Sequence, residues 1–266
     1  MTLEALIFDV DGTLADTEDL HRRAFNLVFE RHRLGWVWQP PQYRELLSVA
    51  GGKERLAWFI DTLPVSGAER VHLRRLVPAL HAEKNRCYRH LVMSGSLRLR
   101  PGIERLMTEA REAGCRLAIA TTTSAVNVEA LLQATLGSAG PAMFSAIACG
   151  DEVRIKKPSP YVYHLAMRRL CLRAHQAVAF EDSLNGLRSA VGAGLRTIVT
   201  PTYWSRHEDF SAASLELPHL GDPHLPIGGE PGHQLENAPW LGFAELARRM
   251  DGRTAFARDP VDELQS

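Results

Sequence analysis

Lysine is nearly absent from this sequence. Of its 31 basic residues, 27 are arginine and only Lys53, Lys84, Lys156 and Lys157 are lysine. Arginine serves wherever a generic surface cation will do, so the four lysines mark positions that call for a compact, flexible ammonium. Charge of one sign is not in excess either, since 31 basic residues face 31 acidic ones. That balance gives no electrostatic reason for nucleic acid or an anionic membrane as a partner. No apolar run approaches the length of a bilayer span. The first apolar run carries Glu4, unlike the core of a signal peptide. Cysteine is scarce: Cys87, Cys115, Cys149 and Cys171 show neither a CxxC pair nor metal-ligand spacing, which leaves reduced core thiols. Internal repeats are missing. We therefore expect a cytoplasmic monomer whose partner is a small molecule.

What is present is ordinary for a globular chain: 266 residues, 45% hydrophobic and 23% charged, enough to bury a sizeable core. The most informative stretch is Leu6-Ile7-Phe8-Asp9-Val10-Asp11-Gly12-Thr13. An apolar run delivers two carboxylates to its end, and a glycine turn follows. In a strand, side chains two apart point the same way, so Asp9 and Asp11 reach one point from one support. Such carboxylates repel unless a cation sits between them or one is protonated. Mg2+, which takes carboxylate oxygens and water, is the usual resolution. One carboxylate can then attack phosphorus while the other shuttles a proton. A plain Asp-Gly hairpin turn is the competing reading of the stretch.

From Asp16 to about Arg89 the pattern is helical, with strand-like runs missing. After Pro101-Gly102 it changes to alternation. Strands are predicted at 116–120, 146–149, 177–180 and 197–199, and helices at 126–136, 160–172 and 185–193. This alternation implies a parallel, doubly wound sheet, with the first strand joined to the second half and a helical module inserted after it. In such sheets ligands bind beyond the carboxyl ends of the strands. Those ends carry Asp9 and Asp11, Thr121 and Thr122, Asp151, and Glu181 and Asp182. The stretch from Leu217 to Trp240 is dense in Pro, Gly and His and is expected to be an irregular surface excursion before a last helix over 241–250.

Four separated motifs, in order and at predicted strand ends, resemble the haloacid dehalogenase (HAD) superfamily of phosphotransferases. They are Asp9-Val10-Asp11-Gly12-Thr13, Thr121, Lys157 in Lys156-Lys157-Pro158-Ser159-Pro160, and Glu181-Asp182-Ser183. The resemblance implies an α/β fold, a HAD-like doubly wound parallel sheet core (1–15 and 96–266) with an inserted helical cap domain (16–95). It implies Asp9 as nucleophile, forming an aspartyl-phosphate, and Asp11 as general acid and base. Thr121 and Lys157 would grip the phosphoryl oxygens. Asp9, Asp182 and the Asp11 backbone carbonyl would hold Mg2+, with Glu181 in support. An acid two residues after the nucleophile favours phosphoryl transfer over dehalogenation, since a halide needs no proton.

A narrower resemblance, to the CbbY-type branch near the phosphoglycolate phosphatases and β-phosphoglucomutases, rests on Ala15-Asp16-Thr17-Glu18, His21-Arg22-Arg23-Ala24-Phe25-Asn26, Tyr43-Arg44-Glu45, Gly51-Gly52-Lys53-Glu54-Arg55 and Glu181-Asp182-Ser183-Leu184-Asn185-Gly186. It implies removal of the 1-phosphate of xylulose 1,5-bisphosphate, which inhibits the carbon-fixing enzyme Rubisco. A bisphosphate needs its second phosphate held away from Asp9. Gly51 and Gly52 offer close backbone approach, and Lys53 and Arg55 offer cations. Lys84 is expected to reach the same phosphate. Glu18, His21 and Tyr43 are expected to hydrogen-bond sugar hydroxyls, and Thr122 and Asn127 complete the expected substrate contacts. A phosphomutase, a phosphoglycolate phosphatase and a non-enzymatic phospho-acceptor module stay open as alternatives.

Overall fold

The computed structural model describes residues 3–95, 97–228, 235 and 239–256. Among these, six strands form one sheet: β1 (Ala5–Phe8), β2 (Arg116–Ala120), β3 (Ala146–Ala148), β4 (Ala177–Glu181), β5 (Arg196–Val199) and β6 (Leu215–Glu216). Their order is β3-β2-β1-β4-β5-β6 and every pairing is parallel. β1 lies at the centre, with Ile7 level with Ala118 on one side and Ala179 on the other. All four of its residues are buried, which is why its apolar run does not alternate with polar residues.

The strands still alternate in size. Leu6, Phe8, Leu117, Ile119, Val178 and Phe180 face α5 (Ile103–Glu112), α6 (Ala125–Leu136) and α9 (Phe243–Met250). The alanines at 5, 118, 120, 177 and 179 face α7 (Tyr161–Leu170) and α8 (Leu184–Gly192). Small residues on that face leave room for Tyr163, buried beneath the carboxyl ends of the strands.

Between β1 and α5 the described residues form four helices: α1 (Glu18–Arg31), α2 (Pro40–Leu46), α3 (Gly52–Thr62) and α4 (Gly67–Ser94). They pack around their own aromatic core, in which Trp38 lies 4.6–5.7 Å from the rings of Phe25, Phe29, Tyr43 and Phe59. Burying such rings dominates the stability of a core this small. On α1, Glu18 and His21 are three residues apart. On α4, His81, Lys84 and Tyr88 follow at spacings of three and four. Each set therefore lies on one helix face, and both faces look down on the sheet ends.

The segment after residue 200 departs most from expectation. Two residues, Leu215–Glu216, extend the sheet as β6. The following stretch is not a surface excursion: Leu217, Leu220, Ile227 and Leu235 are buried in the main core. Gly102, at φ 85°, packs so closely that a β-carbon there would lie 2.5 Å from the Gly221 carbonyl oxygen. Asp222 accepts a 2.6 Å hydrogen bond from the Gly102 amide. The segment thus braces the return of the chain from the helical module to the sheet.

Candidate active site

β1 and β4 end side by side, so Asp9 meets Glu181 and Asp182. The Asp9 amide donates to the Phe180 carbonyl at 2.9 Å, extending the parallel ladder by one residue. One carboxylate oxygen from each of Asp9, Glu181 and Asp182 lies within 4.8 Å of the others, and all three residues are buried. Lys157 inserts its ammonium here, donating to Asp9 Oδ1 at 2.6 Å, Glu181 Oε1 at 2.6 Å and the Ala120 carbonyl at 2.8 Å. That uses all three of its protons. Tyr163 donates to the same Glu181 oxygen.

Three carboxylates sharing one ammonium are under-compensated. Burial raises the Asp9 carboxyl to about 8, against the pull of Lys157 and with help from Glu181. Burial, then Asp9 and Glu181, pushes Asp182 well above the carboxylate range. Burial alone would lower Lys157, but the charges of Asp9 and Glu181 outweigh it and raise it. All-oxygen donors, buried and repelling one another, fit a hard divalent cation such as Mg2+. Glu181 Oε2, buried without a hydrogen-bond partner, belongs to this same cluster. Gly12 makes the arrangement possible. It turns the chain at φ 86°, and a β-carbon there would lie 2.2 Å from Asp182 Oδ2.

The Asp11 side chain points the other way, toward the helices. It accepts from Thr17 Oγ1 at 2.6 Å, from Thr123 Oγ1, and from Tyr88 at 3.4 Å, and it meets His21 Nε2 at 2.8 Å. Burial would raise this carboxyl, but His21 and the hydroxyl donors overcome it and hold Asp11 well below the usual range. Its part in metal binding would therefore fall to its backbone carbonyl. Thr121 follows β2, buried, with its hydroxyl accepting from the Thr123 amide at 3.2 Å.

Several predicted substrate contacts have other occupations. Lys84 is bound to His21 Nδ1 at 2.6 Å and lies over the rings of Phe25 and Tyr88 at 5.1 and 5.2 Å. It also lines the cavity, so the bond to His21 stands beside the expectation of a phosphate contact. Tyr43 is fully buried and outside the cavity lining. Its hydroxyl donates to Glu18 Oε2 at 3.1 Å and accepts from Arg55 Nη1 at 2.9 Å, so it positions those two residues where a contact with sugar was expected. Arg55 is also held through Nε by the Leu46 and Val49 carbonyls.

Glu18, His21, Gly51, Gly52, Lys53, Arg55, Lys84, Thr122 and Asn127 all border one cavity together with Asp9, Asp11, Thr121 and Lys157. Close approach explains the glycine pair: a β-carbon on Gly51 would meet Glu54 Oε2 at 2.2 Å, and one on Gly52 would meet His81 Nε2 at 2.7 Å. Burial and the charges of Lys84, Lys53 and Lys156 lower His81 to about 3, which marks this wall of the cavity as cationic. Asn127 donates to Asn85 of α4 at 3.1 Å, while its Oδ1 and the hydroxyl of Ser124 are buried without partners. Sequence reasoning missed Ser124, His81, Asn85, Lys156, Trp204 and Glu208 as cavity residues. The scarcity of lysine was the signal that points to Lys156.

Residues 3–194 match the model of the haloacid dehalogenase-like hydrolase family. The chain belongs to that family. It is 50% identical over 225 residues to the plasmid-borne protein CbbY of Cupriavidus necator, covering 85% of this chain and 89% of that one. The crystal structure of CbbY from Rhodobacter sphaeroides with phosphate superposes at a TM-score of 0.75, with 48% identity, over 82% of this chain and 95% of that one. An Asp-to-Asn variant of the same protein, crystallised with xylulose 1,5-bisphosphate, matches at 47% identity with the same TM-score and coverage. Membership in this family and likeness to these proteins make the chain a phosphatase, and its sheet order and carboxylate cluster agree. No helix among the described residues is long and apolar enough to cross a membrane.

Proposed function

We propose that this protein is a Mg2+-dependent sugar bisphosphate phosphatase whose substrate is xylulose 1,5-bisphosphate. The observation that carries the reading is the division of the cavity. A nucleophile cluster at Asp9 forms its floor, and a cationic wall of Lys53, Arg55 and Lys156 lines the same space. A substrate with two phosphates, one reacting and one held, suits that division. A relative's complex with xylulose 1,5-bisphosphate supports the choice of sugar.

Asp9, Asp182 and the Asp11 carbonyl, with Glu181 beside them, would hold Mg2+, which supplies the positive charge that lets an anion approach an anion. The Asp9 carboxylate attacks phosphorus and the bond from phosphorus to the sugar oxygen breaks. Lys157 and the Thr121 hydroxyl stabilise the phosphoryl oxygens as charge shifts. Asp11 gives the departing sugar oxygen its proton, then takes a proton from the water that cleaves the aspartyl-phosphate. The proton for Asp11 is near at hand. His21 bridges Asp11 and Lys84 by its two ring nitrogens at 2.8 and 2.6 Å, so as Nε2 passes its proton to Asp11, Nδ1 takes one from the Lys84 ammonium.

Phosphate release in Mg2+ is to be measured on xylulose 1,5-bisphosphate, ribulose 1,5-bisphosphate, phosphoglycolate and β-glucose 1-phosphate. A strong preference for xylulose 1,5-bisphosphate is expected. Preference for phosphoglycolate, which would leave the cationic wall unengaged, sinks the substrate assignment. Glucose 6-phosphate formed from β-glucose 1-phosphate with a catalytic bisphosphate, without free phosphate, would make the protein a phosphomutase. A lasting aspartyl-phosphate without turnover would make it a phospho-acceptor.

A further inference from the structure

Trp204 belongs to the sheet half of the chain yet packs in the core of the helical module. It follows β5 in the loop over residues 200–208, is 7% exposed, and clusters with Phe25, Trp38 and Tyr43. Its ring meets Tyr43 edge-on, with centroids 5.7 Å apart and planes at 89°. Tyr43 in turn is hydrogen-bonded to both Glu18 and Arg55, which face the cavity. We propose that Trp204 is a positioning residue: it is the surface on which the helical module seats, and through Tyr43 it sets Glu18 and Arg55 against the substrate.

The loop is built to be rigid. The amide of Thr202 donates to Ser205 Oγ at 3.0 Å, and the amide of Trp204 donates to Thr202 Oγ1 at 3.1 Å. At its root, Arg100 donates to the carbonyls of Gly12, Thr200 and Pro201, tying the loop to the turn that follows Asp9. At its far end Glu208 accepts the Leu184 amide at 2.7 Å, beside Asp182. One braced loop therefore touches the nucleophile turn, the start of α8 and the seat of the helical module. An indole edge against a phenol ring is a directional contact, so Tyr43 lies where the loop places it. Glu18 and Arg55 reach the cavity in one arrangement only when that seat is made.

This inference rests on the sugar phosphate reading. Its test compares kcat/KM for the sugar phosphate that the wild type prefers with kcat/KM for p-nitrophenyl phosphate, which has no sugar to read. Trp204→Ala is expected to lower that ratio at least about tenfold, chiefly through KM, and Trp204→Phe to bring it back to within about threefold. The losses of Trp204→Ala and Tyr43→Phe are expected not to multiply in the double variant, because one removes the seat of the Tyr43 ring and the other the hydroxyl bonds that the seat places, so both act on the same setting of Glu18 and Arg55. Should Trp204→Ala fail to fold by circular dichroism, Trp204→Leu, which keeps bulk without the ring edge, takes its place. Parallel losses on both substrates, or losses that multiply, overturn the inference while the substrate reading stands. A wild type that prefers no sugar phosphate overturns the substrate reading itself, and the inference with it.

Discussion

Lys84→Met tests the proposed part of the Lys84–His21 pair in catalysis apart from its effect on stability. Lys84 is 4% exposed. Burial, only partly offset by Asp11, lowers it from 10.5 to about 7. A fall of that size corresponds to on the order of 5 kcal/mol against the charged form. At pH 7 the burden on the folded state is on the order of 4 kcal/mol relative to a neutral side chain of the same shape. Methionine is unbranched and similar in length, so it fills the space between Phe25 and Tyr88. It forfeits the hydrogen bond to His21 and two ring contacts, together about 2 kcal/mol. Lys84→Met should therefore stabilise the protein by about 1–3 kcal/mol at pH 7, or roughly 2–5 °C in Tm for a chain of this size. The pH dependence carries a definite sign. Between about 7 and 10.5 the unfolded chain holds a proton that folded Lys84 has released, so wild-type stability rises with pH across this window. Thermal melts from pH 7 to 9.5 should show the advantage of Lys84→Met shrinking as pH rises. Activity should fall about a hundredfold, since His21 loses the partner that supplies its proton. A variant less stable than the wild type at pH 7, or a stability gap indifferent to pH, would refute the reasoning.

The other predictions concern parts of the site that act separately. Asp9→Asn should abolish turnover with the fold intact by circular dichroism; substantial remaining activity removes Asp9 as nucleophile. Lys53→Ala should lower kcat/KM for the bisphosphate at least about tenfold more than for p-nitrophenyl phosphate, and equal losses would make Lys53 structural. Gly12→Ala should cost activity and more than about 2 kcal/mol of stability, since it combines a left-handed backbone with a contact on Asp182; a melting curve matching the wild type would contradict this. Asp222→Ala should lower stability by about 1–3 kcal/mol by stranding the Gly102 amide, read as a drop in Tm, while the preference among substrates stays unchanged.

Much of the site was legible in the chain because its chemistry is carried at strand ends. β1 declares itself by an apolar run that stops at two acids, and β4 does the same at Glu181 and Asp182. Parallel order then brings those ends together. Lys157 was legible by motif and by the rarity of lysine. The two-residue β6 was not, since Leu215–Glu216 has no period to read. Leu217, Leu220 and Ile227 are scattered among proline and glycine and look like loop, yet the close approach of Gly102 and Gly221 folds them into the core. Tyr43 was legible as a cap residue but not in its role, because a phenol near a cavity faces either the ligand or its neighbours, and only packing decides which.

The α/β alternation, the inserted helices and the carboxylates at the strand ends are written in the chain, because each follows from local period and from charges that must share one place. Tertiary structure alone decided that Asp11 turns toward His21 and Lys84, that Tyr43 holds Glu18 and Arg55, and that Trp204 crosses to the helical module. Those choices depend on contacts between residues as far apart as Tyr43 and Trp204, and the partner of a buried polar group is fixed by whichever donor or acceptor the packing brings within reach.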